Sequence, residues 1–246
     1  SGDDFAQRAA SAFKAELISR GGDVVAMTVL PSGATSFADA IKNLQLPTAS
    51  AAPAPAAAAS TADAATATPA APADTGIFIS MRPNQARLLM PQLRIAQVQL
   101  PVFATSHVYA GSDDAPANRD LDGVEFCDAP WLFDAQPGLP DRAAIAAKLP
   151  AARDGAARLF AFGMDAWSLV PYLDWLKAHP GSYMPGATGQ LAADPFGRIR
   201  RVLTWAKFEN GVARPLSGNL QIDSVPSPPP AAPAPASSSA DANPAG

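Results

Sequence analysis

The sequence predicts an α/β fold in which a parallel sheet is flanked by helices and a β-hairpin closes the ordered part. Three observations lead there. Short apolar runs alternate with segments of helical periodicity, the order expected of a parallel sheet with crossover helices. The leading run, residues 24–30, is continuously apolar apart from Thr28, as in strands covered on both faces. Near the end, Asn210-Gly211 stands between two strand-like runs, a strong hairpin signal because both residues tolerate positive φ.

The elements follow in order. Phe5, Ala9, Ala12, Phe13 and Leu17 recur at helical spacing, with Asp3 or Asp4 as N-cap and Gly21-Gly22 as the stop. The run 24–30 (VVAMTVL) reads as a first, doubly covered strand. Ser36 opens a short helix carrying Phe37, Ile41 and Leu44. Residues 77–81 form the second strand, and Pro83 suits the first turn of the helix after it. Pro91 is expected to break or kink that helix, because it removes an N–H and crowds the preceding turn. Residues 101–105 make a third strand and 123–126 a short fourth. Residues 141–149 read as a short helix, and 154–178 as the longest one, with Gly163 and Pro171 in its interior. Residues 189–191, then 200–208, then Val212 onward read as strands.

Two tracts stand apart. Residues 47–75 hold 15 Ala and 5 Pro in 29 positions, and residues 226–246 hold seven prolines in 21. Side chains this small gain too little burial to offset the entropy of ordering. The first tract therefore reads as a disordered surface insertion, since the α/β pattern resumes beyond it, and 217–246 as a disordered tail. The tracts carry Asp63, Asp74 and Asp241 and no Lys or Arg, so 22 acidic residues become 19 against 18 basic ones. That near-neutral body argues against duplex nucleic acid as the main partner and against adhesion to anionic lipid. Cys127 is the sole cysteine, so no intrachain disulfide and no cysteine-based zinc site can form. No apolar run approaches a membrane span, and residues 1–4 show no signal-peptide character.

No catalytic constellation is legible, and no cofactor is expected. Ser11 and Lys14 have the S-x-x-K spacing of an acyl-serine site. They lie in an ordinary amphipathic helix, and no Lys-Thr-Gly partner motif occurs. His107 and His179 read as surface or loop residues, and Cys127 as a small residue at a strand end. Asp113, Asp114, Asp120, Asp122, Glu125 and Asp128 lack the alternating spacing of a calcium loop. They read as a solvated stretch with no metal. Trp167, Tyr172 and Trp175 read as packing residues of the long helix. Trp131, in a proline-flanked loop after a strand, suits either a core edge or a binding surface.

Several stretches resemble one family. They are PVFATS at 101–106, NRDLDGVEF at 118–126, APWL at 129–132, AFGMDAW at 161–167, GATGQL at 186–191 and GRIRR at 197–201 followed by Trp205. Together they are similar to the C-terminal domain of the LppC/LpoA-type penicillin-binding-protein activators. The resemblance covers about residues 2–214 apart from the Ala/Pro insertion. It implies a type I periplasmic-binding-protein-like fold and a non-catalytic role. The partner implied is a class A penicillin-binding protein, whose peptidoglycan cross-linking is stimulated. The place implied is the periplasm, on an outer-membrane lipid anchor that this chain does not carry.

The departures from the family shape the remaining expectations. The lipobox cysteine, the helical N-terminal domain and the first β–α units are missing, which implies an N-terminally truncated chain. Residues 2–150 are then the second lobe, and 151–216 return to an incomplete first lobe. The apolar face of 154–178 is expected to be under-buried or covered by another chain, and full burial of Leu169, Leu173 and Leu176 would contradict this. For partner docking the candidates are Trp131, His107, Tyr109 and Asp120. If the protein were instead an amino-acid-type receptor, the cleft would draw on Ser80, Thr105 and Ser106 at strand ends.

Overall fold

In the computed structural model, residues 3–31, 33–47, 75–112, 114–194 and 196–216 are described. Helix α1 (Asp4–Ser19) begins where the Asp3 carboxylate accepts from the Ala6 N–H at 2.8 Å. It ends in a Schellman motif, with Gly22 N–H donating to Leu17 and Gly21 N–H to Ile18. Gly21 has φ of 84°, so a glycine is required there. Helix α2 (Ala38–Asn43) is capped by Phe37, one residue later than Ser36, and buries Phe37 and Ile41.

Strands β1 (Ile77–Ile79), β2 (Val102–Ala104) and β3 (Glu125–Asp128) pair in parallel, with Ile77 opposite Val102 and Ala104 opposite Phe126. Helix α3 (Pro83–Ile95) crosses from β1 to β2 and buries Ala86, Leu89, Met90 and Leu93. It runs through Pro91 as one helix, against expectation. Burying Met90 and Leu93 on either side is worth about 1.5–3 kcal/mol each, enough to hold a proline costing about 3 kcal/mol. The Gln92 amide ties the same turn to residues 35–37, accepting from Phe37 N–H at 2.7 Å and donating to the Thr35 carbonyl at 3.0 Å.

The short helix α4 (Ala115–Asn118) precedes β3, and α5 (Arg142–Lys148), capped by Asp141, follows it. The long helix expected over 154–178 is divided. Helix α6 (Ala157–Leu169) and helix α7 (Leu173–Ala178) are joined by a 3-10 turn at Val170–Tyr172, centred on Pro171. Pro171 has no N–H to continue the α-helical ladder, and Val170 N–H already bonds to Trp167.

Strands β4 (Met184–Gly186), β5 (Gly189–Ala193) and β6 (Ile199–Val202) form a small antiparallel sheet. Strands β7 (Thr204–Glu209) and β8 (Val212–Pro215) join the large one, whose order is β1-β2-β3-β7-β8. The sheet is thus mixed: its first three strands are parallel and the terminal hairpin is antiparallel. Asn210 and Gly211 have φ of 54° and 76° at the hairpin turn, as the Asn-Gly signal required.

Two strand expectations are corrected. Residues 24–30 pair with no described strand, and Val25 is 89% exposed, because β1 is the last strand on that edge of the sheet. Residues 200–208 are not one strand: Leu203 separates β6 from β7, which belong to different sheets. The Ala/Pro insertion, apart from Pro47 and Thr75, and the tail from residue 217 lie outside the described residues. One main core joins α2, α3 and the large sheet, with Tyr109, Phe126 and Phe208 in mutual ring contact. A second, smaller cluster holds only Leu169, Leu176, Leu191 and Ala193 as buried members. No helix among the described residues is long and apolar enough to cross a membrane.

Candidate functional site

Parallel sheets present polar groups at the carboxyl ends of their strands, where crevices form beside the sheet. Here Ser80 follows β1, Thr105 and Ser106 follow β2, and Asp128 closes β3. Arg158, in the first turn of α6, spans these ends. Its Nε lies 3.1 and 3.0 Å from the two Asp128 oxygens, and its Nη2 also pairs with that carboxylate. The same Nη2 donates to the Ser106 carbonyl at 3.1 Å and to Tyr109 at 2.9 Å. One guanidinium thereby ties the end of β3 to the turn after β2. Asp128 is buried, and Arg158 is its compensating charge.

Beside this tie lies a small cavity of about 170 Å³, lined by Asp3, Phe5, Ala6, Ser80, Met81, Arg82 and His107. The Phe5 ring from α1 sits 3.9 Å from the His107 ring. Burial, then the positive charges of Arg158 and Arg82, hold His107 below the ordinary imidazole range, with Asp128 and Asp3 opposing. The three candidate cleft residues, Ser80, Thr105 and Ser106, lie at one end of the sheet. Ser80 is buried and the other two are half-buried.

A second constellation joins α6 to the small sheet. Asp165 is buried, and its carboxylate accepts from Ala187 N–H at 2.5 Å, from Thr188 N–H at 2.7 Å and from the Thr188 hydroxyl. This clasps the turn between β4 and β5. The Ala187 carbonyl in turn accepts from Trp131 N–H at 3.2 Å. Gly186 must be glycine, since a Cβ there would stand 2.8 Å from the Asp165 carboxylate and 2.6 Å from Leu191.

Of the four docking candidates, the structure turns two inward. Trp131 is 1% exposed, stacks on Phe160 at 5.4 Å and donates its indole N–H to the Pro140 carbonyl at 2.8 Å. Tyr109 is equally buried, within the aromatic cluster. Both side chains hold the core and cannot themselves meet a partner. Asp120 is exposed, and His107 is partly so, one side of its ring lying against Phe5. Trp167, read as a packing residue, is instead 84% exposed.

Of the six acidic residues, Asp113 lies outside the described residues, Asp120 is exposed, and the other four are partnered. Asp114 caps α4, Asp122 accepts from Gly211 N–H at 2.7 Å, Glu125 pairs with Lys207 at 3.1 Å and Asp128 with Arg158. No metal-binding cluster forms among the described residues. Ser11 and Lys14 lie on the exposed side of α1. The Cys127 thiol is pushed up to about 11 by burial and by the neighbouring Asp128 charge, which makes it a poor nucleophile. The reading from sequence missed Arg158 and Asp165. The available signal was one charge of each sign within an otherwise apolar helix, where burial demands a partner.

The family model described as "LppC putative lipoprotein" matches residues 2–211. Proteins named penicillin-binding protein activator LpoA are among the relatives. The one from Dickeya chrysanthemi is 33% identical over 145 residues, covering 57% of this chain and 20% of its own length. The one from Pectobacterium parmentieri is 28% identical over 143 residues, covering 57% and 21%. The chain thus spans about a fifth of the length of these curated relatives. Among solved structures, the LpoA C-domain from Haemophilus influenzae, titled a regulator of PBP1A, superposes with a TM-score of 0.58 at 21% identity. That superposition covers 87% of this chain and 59% of that one. A leucine-binding protein from Thermotoga maritima shares the fold at TM-score 0.50 and 14% identity, covering 85% and 55%.

Proposed function

This chain belongs to the LppC lipoprotein family, and on that footing we propose that it is part of a non-catalytic activator of a class A penicillin-binding protein. It raises the synthase's peptidoglycan cross-linking through protein–protein contact. The observation that carries this reading is the family match across residues 2–211, together with relatives that bear the activator name. The working place is the periplasm, with the polypeptide held on the outer membrane by a lipid anchor. Residues 2–150, joined in the large sheet by the β7–β8 hairpin, form one lobe of a periplasmic-binding-like domain, and the small sheet contributes to the other.

The strand-end geometry favours an activator over a small-molecule receptor. The cavity of about 170 Å³ beside Ser80 and His107 is smaller than the roughly 300–1,000 Å³ of ordinary small-ligand sites. Phe5 enters it from α1, and Arg158 is committed to Asp128. An activator needs no such pocket. It must bind the active state of its partner more tightly than the inactive one, and a tenfold shift needs only about 1.4 kcal/mol of difference.

His107, which follows β2, and Asp120, which precedes β3, supply the exposed polar contacts, with the buried Tyr109 supporting the backbone beside His107. The test is cross-linking by the organism's class A synthase, with and without the full-length activator, comparing the parent with the His107→Ala/Asp120→Ala variant. Stimulation by the parent and weakened stimulation by the variant are expected. No stimulation by the parent overturns the activator role, and unchanged stimulation by the variant overturns this docking face. Tight calorimetric binding of an amino acid by the full-length protein would favour the receptor.

A further inference from the structure

Among the described residues, the most exposed large apolar side chains are Val25, Ile95, Trp167 and Phe196, at 89%, 82%, 84% and 83%. Trp167 belongs to α6, where Leu159 and Phe162 are also exposed, whereas Leu169 and, on α7, Leu176 are buried. The under-buried face expected there is thus present only in part. Phe196 differs from the others because a turn is built to hold it out. It lies between β5 and β6, and the buried Asp194 organises that turn. The Asp194 carboxylate accepts from Phe196 N–H and from Arg198 N–H, each at 2.9 Å, and from Arg198 Nε at 2.6 Å. Asp194 N–H donates to the Arg198 carbonyl and Gly197 N–H to the Asp194 carbonyl, both at 2.9 Å. These bonds fix the backbone on both sides of Phe196, so little further ordering is needed when the ring meets a partner.

The surroundings of the ring are basic. The Arg198 guanidinium lies 5.3 Å from the ring centroid. Its Nε is committed to Asp194, while its two Nη groups have no partner among the described residues. Lys177, from α7, runs alongside the turn, its chain carbons 3.5–3.9 Å from where a Cβ on Gly197 would stand. Arg200 follows Arg198 by two positions, which in extended chain sends both side chains to one face. Lys177 and Arg200 are exposed and form no ion pair among the described residues. Against these three cations stand Asp194, committed within the turn, and Asp174, one helical turn before Lys177. Aromatic rings and arginines are the side chains enriched where proteins meet, and unpaired cations around a ring select carboxylates.

We propose that the Phe196 turn is a docking knob for the class A synthase, entering an apolar pocket on that partner rimmed by carboxylates. Charge complementarity sets this chemistry. Arg198 presents a planar fork to one carboxylate, and Lys177 and Arg200 keep the potential around it positive. The knob belongs to the small sheet, whereas His107 and Asp120 flank strands of the large one, so it adds a contact to theirs. It presupposes the activator role, and the two fail separately.

The test is binding of the full-length activator to the class A synthase by biolayer interferometry at low and high salt, with cross-linking followed in parallel. Phe196→Ala is expected to weaken binding about thirtyfold, the scale of a central interface side chain. Its melting temperature is expected to stay that of the parent, because the ring is exposed. Arg200→Glu is expected to weaken binding about tenfold at low salt, and less at high salt, where the charges are screened. No binding by the parent overturns the activator role itself. Parent-like binding by either variant, beside a parent that binds, overturns the knob alone. Weakening by Phe196→Ala together with a fall in melting temperature assigns the ring to packing and overturns the knob as well. Variants that lose retention on purified peptidoglycan while still binding the synthase overturn it in favour of the cell-wall polymer.

Discussion

Asp165→Ala removes the clasp on the β4–β5 turn, and its cost can be worked from the contacts. Asp165, Ala187 and Thr188 are all buried, so solvent cannot replace the lost acceptor. Two backbone N–H groups, of Ala187 and Thr188, lose their partner, while the Thr188 hydroxyl can rotate away. Each buried donor left unsatisfied costs about 1–3 kcal/mol. Removing a buried carboxylate returns part of that by cancelling its desolvation. The net loss is expected to be about 3 kcal/mol, or roughly 6–12 °C in melting temperature for a chain of this size. Asp165→Asn keeps one acceptor oxygen and sets an amide N–H against the other donor, so about 2 kcal/mol is expected. Urea denaturation measures the totals. Amide exchange at Ala187 and Thr188 separates local opening of the turn from global unfolding. Asp165→Ala within about 0.5 kcal/mol of the parent, with both amides still protected, would refute the reasoning.

Three further outcomes follow from the same geometry. Arg158→Leu strands the buried Asp128 charge and two carbonyls, with an expected loss of about 3–5 kcal/mol in chemical denaturation. Asp128→Asn in that background should recover part of it. Gly211→Ala places a Cβ against the Ala115 backbone at φ of 76°, and should cost about 2–4 kcal/mol of the same stability. His107 has its pKa lowered by burial, then by Arg158 and Arg82. The unfolded chain therefore takes up the proton first as pH falls through 6.5, so this contribution is complete above that pH and is lost on acidification. His107→Gln should flatten stability against pH just below 6.5, as read by melting temperature in a pH series.

Much of the chain was legible because its signals are local. The Asp3 cap, the Gly21-Gly22 stop and the Asn210-Gly211 hairpin each rest on φ preferences and hydrogen bonds within a few residues. Proline was legible only in part. Pro171 turned the helix into a 3-10 segment at its exposed surface, whereas Pro91 was absorbed where α3 packs on the main core. Candidate-site residues were less legible still. Trp131 after a strand end looks identical in sequence whether it points at solvent or at Phe160.

Alone, the order of residues determined the α/β class, most helix ends and the closing hairpin, and its motif combination pointed to the family. Those properties depend on near neighbours along the chain. Tertiary structure decided the rest: that 24–30 pairs with no described strand, that 199–209 divides between two sheets, and that Asp165 and Arg158 act as ties. It also left Trp167 exposed while Trp131 was buried. Apolarity states that a side chain gains by leaving water, and only the positions of distant segments state what is there to receive it.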